Sequence, residues 1–533
     1  MRSSFCSALV SVLLGWHSVA VKSPDINPRT PLVNQDDPPE KLPIFPKSNE
    51  RNATPHRCEF ACSYLSKTYA DTVAFPGSDK YIQVQKSFWS QQQSIVSPMC
   101  IFRPENVKQV SFAMFVNTDT NCTFAVRSGG HATFPGASNI QDGMAFDMQA
   151  INEITIASDG KTAVLGTGNT WYDVYKTLEA RNLTAVGAFA ANVGVGGHIL
   201  GGGISLLSNL YGWACNNVIN YEIVGAHGGI LNVDAERPEM FSALCGGGNN
   251  FGIVTRFTVN IYPQGPIWQG LREFNMDKKR VVLDAYVNLG RNIEKDPRSN
   301  QYFTAFTVTR DAEKISVDLE NADGIHYPSI FNEVIAIPVI LATSKIQYMS
   351  EVTEALANKT RSGLRNTHWT YTFKLDAWLV GFVTDTFLAA IRPLRDIKGI
   401  VANCKFQTIT KPMLSHMKGN AFGLSAEGGP YTLLLLSAAW SDEADDETIY
   451  RAFADMLQAI KEEAKESGLH VDYLFMNYAS QFQDVISSYG AENVERLRAA
   501  SYDDDPEGFL ERLQPGYFKL DGSAPAEMRE DGV

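Results

Sequence analysis

The segment Gly194-Val195-Gly196-Gly197-His198-Ile199-Leu200-Gly201-Gly202-Gly203 constrains this chain more than any other, because six of its ten residues lack a Cβ. Glycine gives up more backbone entropy on folding than any other residue, so such a run is costly inside a regular element. One or two glycines suffice for a tight turn. Six make sense where main-chain N–H groups must close on a ligand, a phosphate above all. Two more glycine-rich turns lie nearby: Ser128-Gly129-Gly130-His131 after a predicted strand, and Gly246-Gly247-Gly248-Asn249-Asn250-Phe251-Gly252 before one. Three such turns in one region imply a long ligand held at several points.

The common phosphate and nucleophile motifs do not account for them. Counting G-x-G-x-x-G from Gly194 puts Ile199 in the last glycine position, and Gly166-Thr167-Gly168 leads to Trp171 there. Gly160-Lys161-Thr162 has Thr155 where a P-loop needs its first glycine, and Gly203-Ile204-Ser205 runs into Leu206-Leu207 rather than completing a nucleophile elbow. Nicotinamide, NTPase and α/β-hydrolase readings fall away. The 46 Lys+Arg against 59 Asp+Glu leave a formal charge of −13, which excludes a polyanion binder such as a nucleic-acid partner. An apolar fraction of 44% supports a large core.

The N-terminus reads as a secretory signal over residues 1–20, with Arg2, an apolar run from Phe5 to Trp16, and small residues at Ser18 and Ala20. No membrane span is expected after its removal, since Ile330 to Ile346 is broken by Glu333 and Pro338. Residues 21–56 carry eight prolines among polar neighbours and read as a linker. Sequons at Asn52, Asn121, Asn182 and Asn358 mark expected glycosylation sites. Beyond the signal, seven cysteines remain (Cys58, Cys62, Cys100, Cys122, Cys215, Cys245 and Cys404), so at least one is unpaired. Cys58 and Cys62 stand four apart, and spacing does not decide which of them joins Cys122; Cys62–Cys122 is the bridge we expect. The cysteines and histidines offer no four-ligand metal set.

Short strands alternate with helices as far as Pro263. Thr170 with Asp173 forms a capping box for a helix through Leu178, and Tyr221–Ala226 with Ile230–Val233 forms a hairpin across Gly228-Gly229. Alternation over Ile253–Ile261 predicts a strand. Further on, Ile449, Phe453, Met456, Leu457, Ile460 and Ala464 fall on one helical stripe that stops near Gly468.

Arg127-Ser128-Gly129-Gly130-His131, Gly194-Val195-Gly196-Gly197-His198 with its following triple glycine, Gly252-Ile253-Val254-Thr255 and Asn477-Tyr478-Ala479, in this order, resemble the berberine bridge enzyme-like flavoproteins. These belong to the vanillyl-alcohol-oxidase (PCMH-type) FAD-binding superfamily, and the resemblance is strongest to fungal members of secondary metabolism. It implies an α+β fold in two parts. A PCMH-type FAD domain would take residues 57–263 and a returning segment 471–522, a substrate domain of antiparallel sheet backed by helices would take 264–470, and 523–533 would be a tail. It also implies a covalent link from His131 to the flavin 8α-methyl group. Relatives with a second link place a cysteine where this chain has Ala190, so a single link is expected. Ser128, Gly129, Gly130, Gly168, Gly194, Gly197, His198, Gly202, Val254 and Asn477 match cofactor contacts, with His198 as a packed structural histidine the alternative.

The catalytic base departs from the pattern. Alcohol-oxidising members commonly open Y-x-N-Y with tyrosine, where this chain has Phe475-Met476-Asn477-Tyr478. In a strand Tyr473, Phe475 and Asn477 would share one face, which makes Tyr473 the candidate phenol and core packing its alternative. The expected activity is oxidation of a small organic substrate by hydride transfer to FAD, with dioxygen as electron acceptor, in the secretory pathway. A carbohydrate oxidase, a flavin-holding pocket protein that shapes ligand cyclisation without net redox, and a cofactor-free glycoprotein are the rival readings.

Overall fold

The computed structural model describes residues 54–358, 362–417 and 419–528. The signal, most of the linker, Asn52 and the last five residues lie outside them. Three sheets organise the described residues. The first has four strands in the order Val73–Ala74, Cys100–Phe102, Met144–Asp147 and Phe124–Arg127, and the last three run parallel. The helix Val107–Thr120 makes the crossover between parallel strands; Asn106 caps it by accepting from Gln109 N.

The second sheet centres on Ile253–Pro263, which alternates as its sequence predicted. It pairs with Thr162–Gly166 on one side and Val218–Val224 on the other, and Ile230–Val233 completes the expected hairpin. The capping box at Thr170 and Asp173 is present in both halves and opens the helix Trp171–Glu179.

The third sheet has eight strands, in the order Leu341–Gln347, Ile267–Phe274, Glu313–Asn321, Ser299–Thr309, Val401–Ile409, Tyr431–Trp440, Arg365–Lys374 and His470–Val471. Every pairing in it is antiparallel. Its two faces differ as a period of two requires. One face, with Phe306, Cys404, Leu434, Leu436 and Trp369, packs on the helices Lys279–Asn292, Ala377–Ile391 and Asp446–Glu466. The other turns towards the glycine-rich part of the chain. The stripe Ile449, Phe453, Met456, Ile460 and Ala464 is buried in that packing, and the helix stops before Gly468, whose φ is +69°. Residues Ala377–Leu394 are the one described stretch long and apolar enough to cross a membrane, but Leu379, Val380, Val383, Phe387 and Ile391 are buried against the sheet.

The expected Cys62–Cys122 bridge is corrected by the structure. Cys58 pairs with Cys122, Cys62 with Cys100, and Cys215 with Cys245, leaving Cys404 as the buried free thiol among the described residues. Cys58 and Cys62 do share one face of the helix Thr54–Thr68. That face meets two different partners, Cys122 just past the C-cap Asn121 of the helix Val107–Thr120 and Cys100 at the start of the strand Cys100–Phe102, so each cysteine takes a different one.

Candidate functional site

The three glycine-rich turns converge. A Cβ added at Gly129 would lie 2.4 Å from Gly194 N, so the first and second turns touch backbone to backbone. Ser128 fastens this contact: its Oγ donates to Thr167 O at 2.6 Å and accepts from Gly196 N at 3.1 Å. The third turn joins through Gly246 N and Gly248 N, which both donate to Leu200 O at 3.1 Å. The Cys215–Cys245 disulfide closes the same region, since Cys215 N donates to Gly202 O.

Gly168 and Gly202 are filled by protein: a Cβ would meet Met148 O at the first and Phe422 at the second. Gly197 is exposed, and a Cβ there would meet nothing within 4 Å. Val254 is buried in its strand opposite Ile223. Asn477 reaches back into the glycine run, accepting from Gly203 N at 3.1 Å and donating to Gly197 O at 3.1 Å.

Gly130, at φ +70°, turns the chain so that His131 stands at the edge of this cradle. The imidazole stacks on Trp89, with centroids 4.3 Å apart and 9° between the planes. Its Nε2 is buried and has no hydrogen-bond partner among the described residues. Burial lowers its pKa to about 4, against an opposing contact from Asn192, so the ring is neutral over the physiological range. Trp89 Nε1 is likewise buried without a partner. An unmet buried donor and an unmet ring nitrogen at the mouth of a glycine cradle fit a group such as a flavin, which brings polar atoms of its own.

His198 is different. Its Nε2 donates to Ile204 O at 3.4 Å, and its ring sits edge-on to Trp171 at 5.4 Å. Burial lowers its pKa to about 4 as well. These contacts are those of a packed structural histidine, although Nδ1 has no partner among the described residues.

The shared face expected for Tyr473 and Asn477 is corrected. The pairing strand ends at Val471, and Met476–Tyr478 forms a turn of 3₁₀ helix. Tyr473 is 2% exposed, its ring lies beside Phe422 and Tyr489, and its buried hydroxyl has no partner among the described residues. Burial raises its pKa well above the ordinary phenol range. It is a core ring.

Sequence reasoning missed the sheet opposite His131. His368 lies 5.6 Å from Trp89 on the face that turns towards the glycines. Its register partner is Ser437, Ser437 pairs with Asn403, and Asn403 with Thr307, so four polar side chains form one rung across four strands. Thr307 Oγ1 donates to Asn403 Oδ1 at 2.8 Å, and Asn403 Nδ2 to Ser437 Oγ at 3.4 Å. Lys405, one position along on that face, lies over Phe303 at 5.2 Å. Burial and then the charge of Lys405 lower the His368 pKa to about 3. Deeper in, Tyr302 and Tyr478 approach through their hydroxyls at 3.4 Å, and Tyr478 donates to Gln407 Oε1 at 3.3 Å. No local motif marks these residues, because register across distant strands brings them together.

Comparison with known proteins agrees with this geometry. Residues 98–234 match the model of an FAD binding domain. The chain is 34% identical over 490 residues to the FAD-dependent monooxygenase tpcD of Cochliobolus heterostrophus, covering 87% of this chain and 94% of that protein. It is 32% identical over 489 residues to the FAD-dependent monooxygenase FUP4 of Fusarium proliferatum, with the same coverage of 87% and 94%. Among solved structures, berberine bridge enzyme from Eschscholzia californica superposes with a TM-score of 0.67 at 16% identity, covering 89% of this chain and 100% of that one.

Proposed function

Because this chain belongs to the berberine bridge enzyme-like FAD-linked oxidoreductases, we propose that it is a secretory-pathway oxidase of a small organic molecule of secondary metabolism, with its flavin tied once, through His131. The observation that carries the reading is the neutral imidazole of His131, enclosed at the glycine cradle with Nε2 unpaired. A carbon–nitrogen bond needs a nitrogen lone pair, and the lowered pKa leaves it free. Ala190 offers no thiolate for a second link. Three disulfides and the exposed sequons at Asn121, Asn182 and Asn358 support passage through an oxidising, glycosylating compartment.

Bound FAD would supply a two-electron acceptor for a substrate C–H bond, with dioxygen as the final acceptor and hydrogen peroxide as the by-product. Main-chain groups of Gly129, Gly130, Gly194 and Gly197 would hold the cofactor, and Ser128 and Asn477 keep those turns in place. The substrate would lie against the sheet, over the rung Thr307–Asn403–Ser437–His368. There the uncharged imidazole of His368 offers a hydrogen-bond acceptor, and Lys405 a positive charge for an oxygen that gains negative character. Aromatic walls from Trp89, Phe303 and Tyr302 suit a planar or polyunsaturated ligand.

The relatives' name, monooxygenase, favours a second reading, in which an oxygen atom enters the product. Purified holoprotein supplied with its substrate under ¹⁸O₂ separates the two. The oxidase reading expects one hydrogen peroxide per product and no label in the product. Labelled product without peroxide would replace it with the monooxygenase.

A further inference from the structure

We propose that Trp89 is the positioning residue for covalent attachment of the cofactor: its indole, stacked on His131, fixes the imidazole plane in which the histidyl–flavin bond forms. This inference rests on the reading that His131 carries the flavin. The bond joins an imidazole nitrogen to the 8α-carbon. One methyl C–H and the imidazole N–H are broken, and two protons and two electrons leave. Dioxygen takes them up as hydrogen peroxide. Forming that bond needs the nitrogen lone pair aimed at one carbon, and misalignment by about 1 Å can cost about 10²-fold in rate.

His131 follows a glycine of positive φ, and among the described residues the side chain in hydrogen-bonding reach of its ring is Asn192. The nearly parallel face of Trp89 at 4.3 Å is therefore what sets the ring plane. Trp89 is held from both sides of the chain. Its N donates to Gly130 O at 3.2 Å, and its carbonyl accepts from Gly363 N at 3.0 Å. On its C-terminal side, Ser90 Oγ donates to Thr133 O at 2.8 Å. Gln92 then exchanges two hydrogen bonds with the main chain of Asn366, at 2.9 and 3.0 Å. On its N-terminal side, Arg127 lies over Phe88 at 4.3 Å and donates to Val84 O and Ser87 O. The loop is thus clamped to the His131 turn and to the sheet together, while the indole N–H has no partner among the described residues. Position, rather than a bond of its own, is what this clamp secures.

The test is the fraction of flavin that stays with the full-length protein after acid precipitation, read also as in-gel fluorescence and followed during aerobic incubation. Wild type should retain its flavin. Trp89→Leu should bind FAD yet release most of it, with incorporation slowed about tenfold or more. Trp89→Phe, which keeps a planar ring, should restore retention. Should Trp89→Leu be insoluble, Trp89→Met takes its place in the comparison. Full retention in the leucine or methionine variant would overturn the proposal, as would equal loss in Trp89→Phe or a soluble variant that binds no FAD at all. Wild type that releases all its flavin would instead overturn the His131 reading beneath it.

Discussion

Replacing Gly197 with alanine separates glycines that the fold needs from glycines that a ligand needs. At Gly129 an added Cβ would lie 2.4 Å from Gly194 N and 2.7 Å from its Cα, so backbone must move. Overpacking of that kind costs about 1–3 kcal/mol or more. At Gly197 the added methyl meets nothing within 4 Å, and the residue sits in the helix Val195–Leu200. Alanine there should stabilise the protein by about 0.5–1 kcal/mol, through lost freedom in the unfolded chain. For a chain of this size that is a rise in melting temperature of about 1 °C. If the open space at Gly197 is where the cofactor approaches, the same methyl must displace it. Gly197→Ala should therefore melt no lower than flavin-free wild type, yet carry only a small fraction of the flavin that loaded wild type holds. The assay pairs thermal unfolding with the ratio of flavin to protein absorbance. Full flavin occupancy in Gly197→Ala would refute the reasoning, because it would mean that nothing approaches this face.

Peptide mapping of the unreduced protein should recover Cys58–Cys122, Cys62–Cys100 and Cys215–Cys245, with Cys404 alkylated only after unfolding. The double change Cys215→Ser with Cys245→Ser opens a loop of 30 residues, which should cost about 4 kcal/mol of stability, seen as earlier thermal unfolding and loss of flavin. His198 adds a pH dependence. Its folded pKa of about 4 lies below the ordinary 6.5, so its contribution is complete above pH 6.5 and is lost as pH falls towards 4, about 3 kcal/mol in all. Denaturant unfolding across that window should show a shallower slope for His198→Gln than for wild type; equal slopes would mean that the imidazole is not buried neutral.

The glycine cradle was legible in the sequence because glycine reports backbone conformation and close approach directly. Gly129 and Gly194, far apart in the chain, proved to touch. Local signals also carried through: the Thr170–Asp173 capping box, the strand Ile253–Pro263 and the stripe of Asp446–Glu466 depend on neighbours within a few residues. The disulfide partner of Cys62 was not legible, because one helical face presents two cysteines and only tertiary position assigns them. Tyr473 was misplaced by carrying a strand on to Asn477, whereas pairing ends at Val471 and Met476–Tyr478 turns in 3₁₀ geometry. Trp89 and His368 gave no signal at all. Each is an ordinary core-type residue in sequence, and they approach His131 only through the register of a sheet and the clamp of a loop.

The most direct test of the central claim is the mass of the proteolytic peptide that contains His131, taken from protein freed of loose cofactor by acid. The account predicts that peptide carrying the mass of FAD less two hydrogens, and a denatured protein that keeps the visible absorption of a flavin. An unmodified His131 peptide from colourless denatured protein would contradict it.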